Sequence, residues 1–193
     1  MYAEHQPIIA AYARRGPVEL WRVLRFVQAT VNQRFYHVPE IIADLEQTGT
    51  SRFLAQHQVD AIATYYAERG EIYGGVFGES PLEYLVGLPR LGIVKGGFVC
   101  QLALGTHGCL DTHNLTRLGL DKRAFRLDGG AVRLRDRIRT YTAICASEGS
   151  AYLWDTWCDF LAARYPDRFP YGGDQVSAMH VGCIILKEGM GCS

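Results

Sequence analysis

The sequence lacks any long apolar run. No apolar stretch approaches the ~20 residues of a membrane-spanning helix, and the opening "MYAEHQPIIAAYARRG" lacks the basic-then-apolar order of a secretion signal. With 193 residues, of which 48% are apolar, the chain has ample material for a core. We therefore expect a single domain over residues 1–193, in a protein of the cytoplasm, or of the host cytoplasm if its source is viral, with no membrane partner.

Closely spaced cysteine pairs are also missing, because none of the six cysteines forms a C-x-x-C motif. Zinc sites and disulfide frameworks depend on such pairs or on regular spacings, and the C-terminal cysteines do not match a four-cysteine iron–sulfur loop. The pattern predicts reduced, mostly buried thiols, with no metal and no cofactor. The cysteines are Cys100, Cys109, Cys145, Cys158, Cys183 and Cys192.

Net charge is absent too, since 20 Lys or Arg residues balance 20 Asp or Glu residues. The distribution is uneven, however. Residues 84–140 carry ten basic and four acidic residues, whereas the rest of the chain carries ten and sixteen. This basic half predicts one face that binds phosphates, while a solvated helix face explains the run "RLRDRIRTY" equally well.

Strand-like alternation of apolar and polar residues is missing, and so are internal repeats. Apolar residues instead recur at helical spacing, as in "GPVELWRVLRFVQATV". The fold class that we predict is all-α. Gly70 is expected to cap the helix "QVDAIATYYAERG", and Ser80 and Glu83 to form a capping box before "PLEYLV". Further helices are predicted at "AVRLRDRIRTYTAICASEG", "SAYLWDTWCDFLAARYP" and "DQVSAMHVGCIILKEG".

The stretch "SPLEYLVGLPRLGIVKGGFVCQLAL" predicts two helices joined by a tight turn, a hairpin of about residues 80–104. Gly92 is expected to allow a turn conformation that a side chain would resist, and Gly96 and Gly97 to allow close backbone approach. Amide groups at the start of the second helix form a natural seat for a phosphate. Such a turn would bind a nucleic-acid backbone rather than its bases.

Two stretches resemble a known enzyme family. "LPRLGIVKGGFVCQLALGTHGCLDTH" is similar to the helix-hairpin-helix and following acid of base-excision DNA glycosylases of the endonuclease III type. The pattern of that family is Leu-Pro-Gly-x-Gly, an apolar helix, then Val-Asp-Thr-His. Upstream, "FVQATVN" resembles the family's Gln-Ala-Thr stretch, and the similarity covers about residues 20 to 118. The resemblance implies a two-lobed helical bundle that binds double-stranded DNA.

Carried over, the resemblance places the catalytic carboxylate at Asp111, in a loop of about residues 105–114. A carboxylate there can stabilise positive charge on a sugar or activate a nucleophile, but Asp111 is equally placed to cap a helix. Family members that cleave the strand use a lysine at the position of Val94. Lys95 lies one residue further, a rotation of ~100° on a helix, so it either lines the site or reaches a phosphate.

Other matched residues carry two interpretations each. Gln28 matches the family's residue that fills the gap left by an extruded nucleotide, or it is a buried amide. His113 and Asn114 are expected to orient the acid, and the alternative for His113 is a packed core histidine. Trp154 and Trp157 form core packing or a base-stacking wall. Contacts with DNA phosphates are expected from Arg90, which replaces the first hairpin glycine, and from Gly92, Arg117 and Arg123.

Three functions follow from these observations. The first is an enzyme that flips a nucleotide and hydrolyses its N-glycosidic bond, with Asp111 as the key carboxylate. The second comes from a looser resemblance to bacteriophage amino-acid:DNA transferases of thymine hypermodification. It implies transfer of a small amine or amino acid to a base derived from 5-hydroxymethyluracil. The third is a non-catalytic DNA-binding module, and for all three we expect a monomer.

Overall fold

The computed structural model describes residues 1–185, so Cys192 lies outside the described part. Within those residues the protein is all-α, with eleven α-helices, one 3-10 turn at Phe35–His37 and no strand. The helices are α1 (Tyr2–Ala13), α2 (Pro17–Ala29), α3 (Val38–Thr48), α4 (Gln56–Ala67), α5 (Arg69–Val76), α6 (Pro81–Val86), α7 (Ile93–Leu104), α8 (Thr112–Arg117), α9 (Gly130–Glu148), α10 (Ser150–Arg164) and α11 (Gly173–Ile185).

Two predicted helix ends are wrong. Gly70 does not cap a helix, because α4 already ends at Ala67 and the chain resumes as α5 after one residue, Glu68. Ser80 does occupy the N-cap position of α6, but its side chain makes no capping hydrogen bond, so the predicted capping box is not formed. Pro81 at the first turn supplies the fixed backbone angle with which α6 begins.

The turn between α6 and α7 differs from the prediction in its backbone. Gly92 is extended, with φ −77° and ψ 176°, so it does not use the freedom of glycine. Arg90 takes the left-handed conformation instead, with φ 60°. That region disfavours residues with a side chain. Arg90 stands where the hairpin pattern that the sequence resembles has its first glycine, and here an arginine takes the left-handed conformation.

Helix α7 lies at the centre and packs against α1, α2 and α6. Its two glycines permit this close packing, as predicted. A Cβ added at Gly96 would lie 3.0 Å from Leu82 on α6, and one added at Gly97 would overlap the Tyr141 ring on α9. Either substitution would therefore push apart elements that converge near the start of α7.

The N-terminal helix α1 packs on α7, α10 and α11, so the first helix lies among the last ones. The Tyr2 backbone N–H donates to Asp155 at 2.9 Å, and the His5 imidazole Nδ1 lies 2.8 Å from the Ser177 hydroxyl. The first bond joins α1 to α10, and the second fixes α11 against α1. That position matters because α11 contributes one wall of the pocket described below.

The cysteines of the described part are free thiols and are mostly buried, as predicted. Burial raises the pKa of Cys100 and of Cys145 to about 12, so both stay protonated at neutral pH. Among residues 1–185, no helix is long and apolar enough to span a bilayer.

Candidate active site

A pocket of about 440 Å³ lies between α7, α8, α10, α11 and the segment that follows α2. Its volume falls within the range of small-ligand sites, roughly 300–1,000 Å³. Asp111, the predicted catalytic carboxylate, and Lys95, for which one prediction is that it lines the site, both line this pocket. Aromatic side chains form much of the wall: Phe35, Phe98, Trp154, Trp157, Phe160 and Tyr165.

Asp111 serves as helix cap and pocket residue at once. Its Oδ1 accepts the backbone N–H of Asn114 at 3.0 Å, which is the N-cap bond of α8. Its Oδ2 accepts the indole N–H of Trp157 at 2.9 Å. The two interpretations of the sequence are therefore compatible. A carboxylate held at both oxygens is oriented before any ligand arrives.

Lys95 is half-buried on α7 and also faces the pocket. Its Nζ donates at 3.2 Å to the hydroxyl of Thr30, the residue after α2, and lies 5.6 Å from the centre of the Phe98 ring. Although Lys95 lies one residue beyond Val94 along α7, its ammonium is still on the pocket wall. Lys95 supplies positive charge to a cavity whose lining is otherwise mainly apolar.

Cys109 lines the same pocket and interacts electrostatically with both charged groups. Burial raises the pKa of its thiol to about 12, the Lys95 ammonium opposes this rise, and the Asp111 carboxylate adds to it. The thiol is protonated at neutral pH and is a poor nucleophile. The Cys109 backbone is fixed from both sides, because its N–H donates to Gln101 and its carbonyl accepts from Asn114.

His113 and Asn114 follow the acid but have different surroundings. The His113 ring stacks on Phe160 with centroids 4.0 Å apart, at the pocket wall. Burial lowers the pKa of His113 more than the neighbouring Asp111 raises it. Asn114 is fully buried, and its side-chain amide donates to the carbonyls of Cys109 and Leu153. Asn114 therefore braces the acid loop against α10, whereas His113 can contact a ligand.

The sequence allows two interpretations of Gln28, and the structure agrees with the second, a buried amide. It is 1% exposed, and its Nε2 donates to the Tyr65 hydroxyl at 2.9 Å and to the Arg90 carbonyl at 3.3 Å. Tyr65 also donates to the carbonyl of Pro89. A DNA contact through Gln28 would require an exposed side chain, so the structure corrects that prediction. Gln28 and Tyr65 instead hold the turn between α6 and α7 through the backbone carbonyls of Arg90 and Pro89.

The predicted phosphate contacts divide into two groups. Arg90 and Arg123 are exposed, and Gly92 lies half-buried at the start of α7. Arg117 instead bonds to Glu148 at 2.9 Å, and its guanidinium lies 4.8 Å from the centre of the Tyr152 ring. This ion pair joins α8 to α9, so the Arg117 guanidinium is already engaged within the protein, whereas Arg90 and Arg123 are exposed.

Two pocket features lie beyond what the sequence indicated. The bond from Trp157 to Asp111 joins the aromatic group of "LWDTWCDF" to the acid, which the pattern alone could not show. His180, fully buried on α11, also lines the pocket. It lies in a helix with no motif around it, so no local signal marks it.

Comparison with protein-family models, with curated proteins and with solved structures gives no match. Among residues 1–185, no group of three or more His, Cys, Asp or Glu side chains is arranged to hold a metal ion.

Proposed function

We propose that this protein is a DNA base-processing enzyme that flips one nucleotide into the pocket and hydrolyses its N-glycosidic bond. The observation that carries the proposal is the Asp111 carboxylate, held by Trp157 and Asn114 in the wall of an aromatic pocket. Aromatic walls suit the faces of a base, which has to leave its stack to reach such a site.

Asp111 supplies the chemistry in this proposal. Cleavage of an N-glycosidic bond develops positive charge on the sugar, and a nearby carboxylate stabilises that charge. The same carboxylate can orient a water molecule and accept its proton. Because the bonds from Trp157 and Asn114 fix both oxygens, little reorganisation is needed when the charge appears.

The unit from α6 to α7 would be the helix-hairpin-helix of the glycosylases and would bind the DNA backbone. Exposed Arg90 lies in its turn, and exposed Arg123 lies in the segment before α9. Together with free amides at the start of α7, these cations would hold phosphates next to the pocket. In this arrangement the backbone contacts give affinity, and the pocket chooses the base.

The test is base release from defined duplexes. We expect free base from at least one of the duplexes that carry uracil, 5-hydroxymethyluracil, an oxidised pyrimidine or 8-oxoguanine, and none with Asp111→Asn. A matched reaction supplies DNA with pyrophosphorylated hydroxymethyluracil together with amino acids. A nucleoside of increased mass there, without release, would replace the proposal with the amine transferase. Tight binding with neither product would leave a DNA-binding module.

A further inference from the structure

The pocket has an open mouth and a closed end. Thr112, Thr116 and Phe160 on its wall are exposed, whereas Trp154 is 2% exposed and His180 0%. His180 borders the pocket and yet has no surface that a water molecule reaches, so it lies just behind the inner end of the pocket. A ligand that contacts His180 has to displace the side chains in front of it.

The tautomer of the His180 ring is fixed by its own helix. Nδ1 lies 3.0 Å from the Val176 carbonyl oxygen. A carbonyl only accepts, so Nδ1 carries the hydrogen and Nε2 presents a lone pair. Burial lowers the pKa of His180 to about 3, so the ring is neutral at physiological pH and keeps this tautomer. Nε2 lies across the ring from Nδ1 and faces away from the helix backbone.

Nε2 of His180 has no hydrogen-bond partner. Among the pocket-lining residues within the described part of the chain, it is the one buried side-chain nitrogen or oxygen in this condition. Gln101, also buried on the pocket wall, is satisfied at both ends by Ser150 and Cys109. A buried acceptor without a donor is unfavourable, so the closed end of the pocket is incomplete without a second molecule.

The rings around His180 cannot supply the missing donor. The indole of Trp154 donates to Ser177 at 2.9 Å, and that of Trp157 donates to Asp111. The remaining ring neighbours are phenylalanines, which have no polar hydrogen. Their centroids lie 4.9 to 6.0 Å from that of His180: Phe26, Phe35 and Phe98. The donor has to come from whatever occupies the pocket.

We propose that Nε2 of His180 accepts a hydrogen bond from the ring N–H of a flipped uracil-type pyrimidine, and that His180 is a specificity-determining residue. That the ligand is a base rests on the function proposed above. Uracil and thymine rings present such an N–H on the edge away from the sugar. A base alkylated there would leave Nε2 unpaired and would be rejected.

The test uses free bases, so it needs neither DNA nor turnover. Protein carrying 15N-labelled histidine is titrated with 1-methyluracil, which keeps the ring N–H, and with 1,3-dimethyluracil, which lacks it. We expect 1-methyluracil alone to move the Nε2 resonance of His180 and to bind at least ~10-fold more tightly. His180→Phe should abolish that preference. His57→Phe, at an exposed histidine on α4 that does not line the pocket, should keep it.

Several results would overturn the inference: equal affinity for the two bases, a preference that survives in His180→Phe, or no response of the Nε2 resonance at millimolar 1-methyluracil. The resonance is read in the native protein, so the test stands even if His180→Phe fails to fold. The two proposals also fail separately. Binding through His180 without base release from DNA keeps this inference and loses the glycosylase, and release with an unmoved Nε2 resonance does the reverse.

Discussion

The indole nitrogen of Trp157 lies 2.9 Å from Oδ2 of Asp111, although the two residues are 46 positions apart in the chain. Asn114 holds the other oxygen of the same carboxylate. The loop before α8 and the middle of α10 are thus joined at the residue on which the proposed chemistry depends. Because Asn114 donates through its backbone N–H, a change of Trp157 is the one that removes an orienting bond and leaves the charge of Asp111 in place.

Asp111→Asn removes the charge and keeps the size of the side chain. The Asn oxygen can still cap α8, so the fold should be retained. We expect base release to fall by ~10² or more, while DNA affinity is kept or raised because a negative charge near the phosphates is gone. Single-turnover release and a binding titration measure the two effects. Full turnover in the variant would reduce Asp111 to a helix cap.

Trp157→Phe keeps an aromatic wall but removes the N–H that holds Oδ2. We expect slower single-turnover release with nearly unchanged DNA binding, and a smaller loss than in Asp111→Asn, because the charge remains. Trp21→Phe is the matched control. The Trp21 indole donates to the Ile62 carbonyl, and the residue does not line the pocket. Equal losses in the two variants would show that the effect is general destabilisation.

Lys95 should not form a covalent adduct with DNA. Its Nζ is a donor to Thr30, and in the glycosylases that the hairpin resembles the lyase lysine stands at the position of Val94. Incubation with abasic DNA and borohydride should therefore trap no complex, and no strand cleavage through a Schiff base should occur. Denaturing gel electrophoresis reads both. A trapped adduct that disappears in Lys95→Ala would instead assign Lys95 as a nucleophile.

Salt dependence tests the proposed DNA face. Arg90→Ala and Arg123→Ala should each flatten the slope of log affinity against log salt by about 0.9 for one lost phosphate contact. Neither should change the base chosen. Arg117→Ala should leave the slope and lower the free energy of unfolding by up to about 1 kcal/mol, because it breaks the pair with Glu148. Arg69→Ala, on α5, is the outside control. Identical slopes in all four variants would exclude this face.

Acid should destabilise the protein through His180. Its pKa is about 3 in the folded state, below the ordinary value of 6.5, so below about pH 6 the unfolded chain binds a proton that the folded chain does not. Stability should therefore fall by up to ~1.4 kcal/mol per pH unit from this residue as pH drops toward 4. Urea titrations should show a shallower loss in His180→Phe. Parallel curves would contradict the assignment.

Local signals predicted most helices correctly. In α2, α9 and α10 the apolar spacing and the flanking Pro or Gly residues agree with the observed ends. Helix α1 was not predicted, because Pro7 lies inside it and proline argues against a helix interior. The left-handed turn at Arg90 was also beyond the sequence, since that conformation is assigned by default to glycine and Gly92 stood nearby.

The sequence predicts only those residues of the candidate site that lie within one motif. Asp111 and Lys95 lie within a single quoted stretch, and both line the pocket. His180 reaches the same pocket through the packing of α11 against α1 and α10, which no spacing in the sequence encodes. The basic segment places Arg117 among the predicted DNA contacts. Its ion pair with Glu148 forms only in the folded chain, so the sequence does not show it.

The docking of α1 on the last helices has a consequence for how the protein is made. The bonds that fix it join residues 153 and 172 positions apart. Contacts of such long range are slow to form, and on the ribosome α1 is synthesised before α10 and α11. Ile9 and Tyr12, buried in the folded protein, therefore stay without these partners until α10 and α11 have emerged. The pocket has no closed end until α11 docks, so the site forms only after both helices have been synthesised.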